Sequence, residues 1–111
     1  FIIKEIYHKS LNGRIYPRKE RKIIVRDPFL LKSISLWSKA KIRENFLYEW
    51  IVQEHLLRKY GEVYYYKNSY EIDCLANNLK IEVKAGKPHR KYPKDVIILD
   101  EENIAEFLLE L

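Results

Sequence analysis

The sequence contains few residues of several types, and each shortage excludes a kind of site or a class of protein. Cys74 is the only cysteine among 111 residues, so no disulfide can form within the chain and structural zinc is not expected. The three glycines, Gly13, Gly61 and Gly86, cannot make the Gly-x-x-x-x-Gly-Lys-Ser/Thr loop that binds nucleotide phosphates. The longest apolar runs, such as 96–99, are far too short to span a membrane. We therefore expect a cytoplasmic protein with no membrane partner and no nucleotide-binding loop in this chain.

Methionine is also absent, even at position 1, and the chain opens directly in a β-like run, residues 1–7. Hydrophobic residues make up 47% and charged residues 33%, which is typical of one folded domain rather than a disordered chain. We expect a fragment of a longer protein. Residues 1–26 would form an N-terminal β-hairpin or the remnant of a preceding domain, and residues 27–111 would form the main domain.

The charge is positive and uneven. Lysine and arginine number 21 against 16 aspartates and glutamates, which gives a net charge of +5. The basic residues concentrate in residues 9–26 and again in residues 80–94. Such a distribution favours an anionic partner without identifying it.

The spacing of the apolar residues and the positions of turn and capping residues predict an α/β fold. Gly61 is expected to end a long central helix, and Asp27 and Asp100 are expected to begin helices as N-caps. The fold class expected is a mixed sheet of about four strands flanked by helices. The predicted elements are strands at 1–7 and 22–25, helices at 27–37 and 41–60, a strand at 62–67, a hairpin at 70–85, a strand at 95–99 and a helix at 101–109.

The hairpin at 70–85 brings the candidate functional residues together. If Asn77 and Asn78 form a two-residue turn, the expected cross-strand pairs are Ala76–Leu79, Cys74–Ile81, Asp73–Glu82, Ile72–Val83 and Glu71–Lys84. Because side chains alternate between the two faces of a strand, the hairpin has an apolar face and a charged face. The apolar face would hold Ile72, Cys74, Ala76, Leu79, Ile81 and Val83, and the charged face Glu71, Asp73, Glu82 and Lys84.

Two carboxylates placed opposite each other across a strand pair repel, so the arrangement needs a cation. Lys84 supplies one positive charge and a divalent metal would supply more. Two carboxylates, joined by the backbone carbonyl of Val83, suit Mg²⁺ or Mn²⁺. We therefore expect a metal site formed by Asp73, Glu82 and Val83.

The motifs Glu71-Ile72-Asp73 and Glu82-Val83-Lys84 resemble the signature of the PD-(D/E)XK nuclease superfamily, in which an acidic residue enters a hairpin and an acidic-x-Lys triplet follows. The resemblance implies a restriction-endonuclease-like core and a further glutamate on the preceding helix. Glu44 matches that glutamate best, and Glu49 and Glu54 are the alternatives.

A narrower resemblance covers roughly residues 26–111. The chain is similar to the C-terminal nuclease-like domain of archaeal-type P-loop ATPases, on the motifs Asp27-Pro28-Phe29, Arg43-Glu44-Asn45-Phe46-Leu47, Glu71-Ile72-Asp73 and Ile81-Glu82-Val83-Lys84. This similarity implies a P-loop ATPase domain, outside this sequence, as a partner in the same chain.

The resemblance also implies roles. Asp73 and Glu82 would bind the metal, Glu44 would complete the site, and Lys84 would position the attacking water and offset the phosphate charge. The expected function is Mg²⁺-dependent hydrolysis of DNA phosphodiesters. The alternative is a catalytically inactive module that binds DNA or protein and regulates the attached ATPase. Whether the substrate is duplex, branched or single-stranded, and whether RNA could serve, stays open, as does a homodimer.

Other residues have weaker functional signals. Basic residues beside the predicted site could bind the nucleic-acid backbone, although a solvated loop explains them equally well. Cys74 is expected to be a small core residue, and the tyrosines at 64–66 and 70 are expected to pack in the core rather than stack on bases. The candidate nucleic-acid contacts are Lys87, His89, Arg90, Lys91 and Lys94.

Overall fold

The computed structural model describes residues 3–26, 32–33, 36, 44–84 and 92–111. These residues include two sheets and two helices whose bounds are described. The elements are β1 (Ile3–Ile6), β2 (His8–Lys9), β3 (Ile15–Tyr16), β4 (Lys22–Val25), α1 (Glu44–Tyr60), β5 (Tyr64–Lys67), β6 (Glu71–Ala76), β7 (Leu79–Val83), β8 (Ile97–Leu99) and α2 (Ile104–Glu110).

The larger sheet is mixed and has six strands, in the order β3-β2-β5-β6-β7-β8. The α/β class is thus confirmed, whereas the expected number of about four strands is wrong. The two additional strands come from the N-terminal residues: β2 runs parallel to β5 with His8 opposite Tyr65, and β3 pairs with β2. A backbone hydrogen bond of 3.1 Å from Tyr65 N–H to the carbonyl of Tyr7 helps to hold β2 in place.

The strands predicted at either side of the basic N-terminal turn do pair with each other. β1 and β4 form an antiparallel pair in which Ile3 lies opposite Val25 and Ile6 lies opposite Lys22. Ile6 and Ile24 are fully or almost fully buried and join the main core, so this small sheet packs on the rest of the molecule. Whether residues 1–26 belong to a preceding domain stays a prediction.

The central helix α1 packs on β4, β6 and β7. It ends as expected at Gly61, whose φ of 79° is one that L side chains rarely adopt and whose N–H donates a 2.9 Å hydrogen bond to the carbonyl of Leu57. The predicted start at Lys41 lies outside the described residues. The predicted helix at 27–37 also falls mostly outside them, although Lys32, Ser33 and Leu36 are helical.

The hairpin of β6 and β7 has the predicted two-residue turn, with Asn77 at a positive φ of 53°. The predicted pairing of the two strands is confirmed near the turn, where Ala76 lies opposite Leu79 and Cys74 lies opposite Ile81. The further pairs that were expected, Asp73–Glu82, Ile72–Val83 and Glu71–Lys84, are not part of this ladder.

The expected position of Ile72 on the same face as Cys74 is wrong. Ile72 packs with Tyr66 and Leu75 in a separate core cluster. The cause is an irregularity in the pairing of β5 with β6: Tyr64 lies opposite Leu75 but Tyr66 lies opposite Ile72, so β6 holds one extra residue. A strict two-residue alternation cannot continue through such a bulge.

The C-terminal helix begins later than predicted. Residues 101–103 form a turn, and α2 starts at Ile104 because the Asp100 carboxylate accepts hydrogen bonds from the N–H groups of Glu102 and Asn103, at 2.9 and 3.1 Å. Asp100 therefore caps this turn rather than the helix itself. The strand before it is also shorter than expected and covers only Ile97–Leu99.

The core has two parts, one on each face of the sheet. The larger part includes Trp50, Leu56, Cys74 and Ile81, and the smaller part is rich in tyrosine. Tyr66, Tyr70 and Tyr92 follow one another at centroid distances of 5.4 and 6.1 Å, which agrees with the expected packing role of the strand tyrosines. In the part of the chain that the structure describes, neither helix is long and apolar enough to cross a membrane.

Candidate functional site

Asp73 lies at the centre of the candidate site and is completely buried. Its Oδ2 accepts a 2.9 Å hydrogen bond from the backbone N–H of Val83, and its Oδ1 lies 3.3 Å from Nζ of Lys22. Its backbone carbonyl accepts a 3.4 Å hydrogen bond from Nε2 of Gln53 on α1. Since Val83 stands between Glu82 and Lys84, the hydrogen bond to Val83 brings the Asp73 carboxylate against the acidic-x-Lys triplet.

Lys22 forms a second group of contacts with acidic side chains. Its Nζ lies 2.8 Å from Oε1 of Glu49, 2.9 Å from Oε1 of Glu71 and 3.3 Å from Oδ1 of Asp73. The four residues come from β4, α1 and β6, so three separate elements meet at this ammonium group. Here we call Lys22, Glu49, Glu71 and Asp73 the Lys22 cluster.

The charge balance of the Lys22 cluster strongly favours the ammonium form. Burial alone would lower the pKa of Lys22, but attraction by Glu49, Asp73 and Glu71 outweighs burial and raises the pKa well above its ordinary value. Lys22 therefore carries a permanent positive charge at physiological pH. It offsets part of the repulsion among the three carboxylates.

Glu82 and Lys84 share one neighbour, Tyr92. The Tyr92 hydroxyl donates a 2.6 Å hydrogen bond to Oε2 of Glu82, and Nζ of Lys84 lies 4.5 Å from the centroid of the Tyr92 ring. Both residues are buried, with 2% and 5% of their surface exposed. The N–H of Lys84 also donates a 2.6 Å hydrogen bond to the carbonyl of Leu99, which links the end of β7 to β8. In this environment their electrostatic interactions are stronger than at the surface.

The three candidate glutamates on α1 have different surroundings. Glu44 is the first residue of α1, and its side chain lies outside the described residues, so its proposed role stays a prediction. Glu49 is tied to Asp73 through two shared donors, Lys22 and Gln53.

Glu54 is engaged elsewhere. Its carboxylate accepts hydrogen bonds from Nε of Arg26, at 3.0 Å to Oε2, and from Nε of Arg58, at 2.9 Å to Oε1. Of the two alternatives to Glu44, Glu49 contacts the group around Asp73 through Lys22 and Gln53, whereas Glu54 faces arginines. The helix glutamate that best fits the site is therefore Glu49 among the side chains that are described.

The structure describes only some of the residues predicted to contact nucleic acid, and it describes Cys74. Lys94 is exposed, whereas Lys87, His89, Arg90 and Lys91 lie outside the described residues. Cys74 is fully buried and free, as expected for a core residue. Burial, together with the negative charges of Asp73 and Glu49, raises the pKa of the Cys74 thiol well above its ordinary value, which disfavours the reactive thiolate.

The donors available for a metal are oxygen atoms. Asp73 and Glu82 supply carboxylates, and magnesium commonly binds proteins through one or two carboxylates and several waters. The donor chemistry therefore fits Mg²⁺ or Mn²⁺. Within the described ranges, however, no group of three or more His, Cys, Asp or Glu side chains is placed to hold a metal ion. The ammonium of Lys22 does lie beside Asp73, with Nζ 3.3 Å from Oδ1.

Two residues of the site were not predicted from the sequence. Lys22 was assigned to a basic segment, although a lysine that opens the otherwise apolar strand Ile23-Ile24-Val25 was a signal that its charge is needed nearby. Tyr92 carries no comparable signal, since it is a single aromatic residue in a polar loop. Its contacts depend on how the chain returns to the sheet between β7 and β8.

Comparisons with known proteins provide no relative. No protein-family model, no curated protein and no solved structure matches the chain. The function is therefore inferred from the residues and their geometry.

Proposed function

We propose that the domain hydrolyses DNA phosphodiesters with the help of Mg²⁺ or Mn²⁺, through Asp73, Glu82 and Lys84. One observation carries the proposal most directly. The buried Asp73 carboxylate accepts a hydrogen bond from the N–H of Val83, so the acidic residue of β6 lies against the Glu82-Val83-Lys84 triplet at the end of β7. This juxtaposition supports the resemblance to the PD-(D/E)XK superfamily. The nuclease activity itself is implied by that resemblance and not by the geometry.

The proposed roles follow from the chemistry of each side chain. Asp73, Glu82 and the carbonyl of Val83 would hold the metal, with a helix glutamate completing the site. When bound, the metal would lower the pKa of a water and screen the charge of the phosphate. Lys84 would stabilise the negative charge that grows on the phosphate oxygens during hydrolysis.

Tyr92 has a supporting role in this proposal. Its hydroxyl holds one oxygen of Glu82, and its ring lies next to the ammonium of Lys84. A side chain that touches both residues limits the orientations they can adopt. Such positioning matters because catalytic groups must be held close to their reactive geometry.

The DNA contacts, the cellular location and the larger assembly belong to the same proposal. Lys94 is exposed, and together with Lys87, His89, Arg90 and Lys91 it would contact the phosphate backbone. The single, unpaired and buried thiol of Cys74 supports a cytoplasmic location. A P-loop ATPase domain of the same chain is the proposed partner, and a homodimer would allow both strands to be cut.

A second candidate function is a non-catalytic module that binds DNA or a protein and regulates the attached ATPase. The Lys22 cluster favours it, because a lysine that already neutralises Asp73 lets the carboxylates stay buried without a metal. Like the nuclease, this module would use the basic surface to bind nucleic acid. The two candidates differ in metal-dependent cleavage.

The test compares the parent with Glu82→Gln on linear duplex, branched and single-stranded DNA, in Mg²⁺, in Mn²⁺ and in EDTA. Lys80→Met is the matched control, since Lys80 forms an exposed ion pair with Asp95, at 2.6 Å. Cleavage that is lost in EDTA and in Glu82→Gln but kept in Lys80→Met supports the nuclease. If the folded parent cuts none of the substrates in either metal, the non-catalytic module is favoured.

A further inference from the structure

The position of Lys22 raises a question that the proposed function leaves open. A divalent metal at Asp73 would require a carboxylate oxygen, yet Oδ1 of Asp73 already faces the Lys22 ammonium at 3.3 Å and Oδ2 accepts the N–H of Val83. The Lys22 ammonium and a metal would therefore compete for the same Asp73 carboxylate.

We propose that Lys22 is the internal counter-cation of Asp73 and competes with the divalent metal for that carboxylate. The inference rests on the proposed function, because it assumes that Asp73 is a metal ligand. It adds a regulatory residue to the site: the metal binds fully only when the ammonium of Lys22 withdraws from Oδ1.

Electrostatics supports the competition. Magnesium binds oxygen at about 2.0–2.1 Å, so a metal on Oδ1 would lie within a few ångströms of the Lys22 ammonium. Two cations that close together repel strongly in a partly buried environment.

The surroundings of Lys22 allow it to withdraw. The side chain is 25% exposed, so it has a path to solvent, and a lysine side chain has four flexible carbon–carbon bonds. Glu71 is more exposed than Asp73, with 36% of its side chain accessible, and can keep the ammonium at the edge of the site. In contrast, Asp73 is fixed by its backbone hydrogen bond to Val83.

The test measures metal affinity rather than cleavage. Binding of Mn²⁺ to the folded chain is followed by calorimetry for the parent, Lys22→Met, Lys22→Arg and the control Lys80→Met. Methionine has a similar length without the charge. Lys22→Met should bind Mn²⁺ at least about tenfold more tightly than the parent. Lys22→Arg and Lys80→Met should keep the parent's affinity, since the first retains the charge and the second removes a lysine that is paired with Asp95.

An equal or lower affinity in a folded Lys22→Met protein overturns the inference, and so does the absence of Mn²⁺ binding in every variant. Because loss of Lys22 leaves three carboxylates without their shared cation, this variant could fail to fold. The ammonium of Lys22 in the parent then supplies the second readout, through nitrogen-15 NMR with assignment by selective labelling. Added Mg²⁺ should shift the signal and speed its proton exchange. A signal that is unchanged while Mg²⁺ binds overturns the inference.

Failure of this inference can be told apart from failure of the proposed function. If Lys22→Met gains affinity for Mn²⁺ but no protein cuts DNA, the competition stands and the nuclease proposal fails. If the parent cuts DNA and Lys22→Met gains no affinity, the nuclease proposal stands and the competition fails.

Discussion

The hydroxyl of Tyr92 donates a 2.6 Å hydrogen bond to Oε2 of Glu82, while the Tyr92 ring lies 4.5 Å from Nζ of Lys84. One aromatic side chain thus contacts both charged residues of the acidic-x-Lys triplet. The two contacts can be separated by mutation, because phenylalanine retains the ring and lacks the hydroxyl.

Tyr92→Phe should destabilise the protein by about 1–3 kcal/mol, because a buried carboxylate oxygen loses a donor. Urea unfolding at neutral pH provides the measurement. Tyr92→Leu should cost more, since the ring beside Lys84 is also lost. Equal stability of the parent and Tyr92→Phe would show that the hydrogen bond to Glu82 contributes nothing.

The helix glutamates can be ranked by cleavage assays on Glu44→Gln, Glu49→Gln and Glu54→Gln. The contacts of Glu49 with Lys22 and Gln53 predict that Glu49→Gln lowers cleavage by about tenfold or more. Glu54→Gln should lower stability without removing activity, because Glu54 binds Arg26 and Arg58. A loss seen with Glu44→Gln and not with Glu49→Gln would instead support the choice made from the sequence motif.

Stability should depend on the protonation of His8. Burial, followed by the nearby charge of Lys19, holds the pKa of His8 below its ordinary value of 6.5. Below pH 6.5 the unfolded chain therefore binds more protons than the folded one. The stability that neutral His8 gives the folded state is complete above pH 6.5 and is lost as the pH falls through the folded-state pKa. Protonation would also remove the acceptor for the N–H of Lys67, which lies 3.4 Å from Nδ1.

The measurement for His8 is the free energy of unfolding as a function of pH, for the parent and for His8→Phe. Phenylalanine keeps a ring that can stack on Tyr66 but cannot titrate. The parent should lose stability below pH 6.5 more steeply than His8→Phe. Identical slopes in that window would exclude the proposed role of His8.

The core prediction compares two leucines on helices. Leu56 on α1 is completely buried, and Leu109 on α2 is 89% exposed. Leu56→Ala should cost about 2–5 kcal/mol, because it leaves a cavity between the helix and the sheet. Leu109→Ala should change stability by less than about 0.5 kcal/mol. Similar losses in the two variants, measured by urea unfolding, would mean that α1 does not form the core as described.

The features that depend on nearby residues were predictable from the sequence. The turn at Asn77 and Asn78, the register from Ala76 to Cys74 and the helix end at Gly61 follow from local preferences for positive φ and from strand alternation. The pairing of β1 with β4 was also expected, because both strands flank a turn rich in basic residues.

The features that depend on distant residues were not predictable in the same way. The parallel pairing of β2 with β5 joins His8 to Tyr65 across about half of the chain, and no local pattern indicates it. The bulge in β6 moves Ile72 to the other core cluster because an extra residue interrupts the alternation. Lys22 reaches Asp73 only after β4 has packed beside α1. The acidic residues of the candidate site were predicted from their motif, and their role stays a prediction. Their contacts with Lys22 and Tyr92 could be seen only in the folded structure.

The measurement that tests the central proposal most directly is the rate of DNA cleavage in Mn²⁺ by the parent and by Asp73→Asn. Asparagine retains an oxygen that can accept the N–H of Val83 but removes the negative charge, so the fold should be preserved, as circular dichroism can verify. The proposal predicts that cleavage falls by at least about a hundredfold in Asp73→Asn. A folded Asp73→Asn protein that cuts DNA as fast as the parent would contradict it.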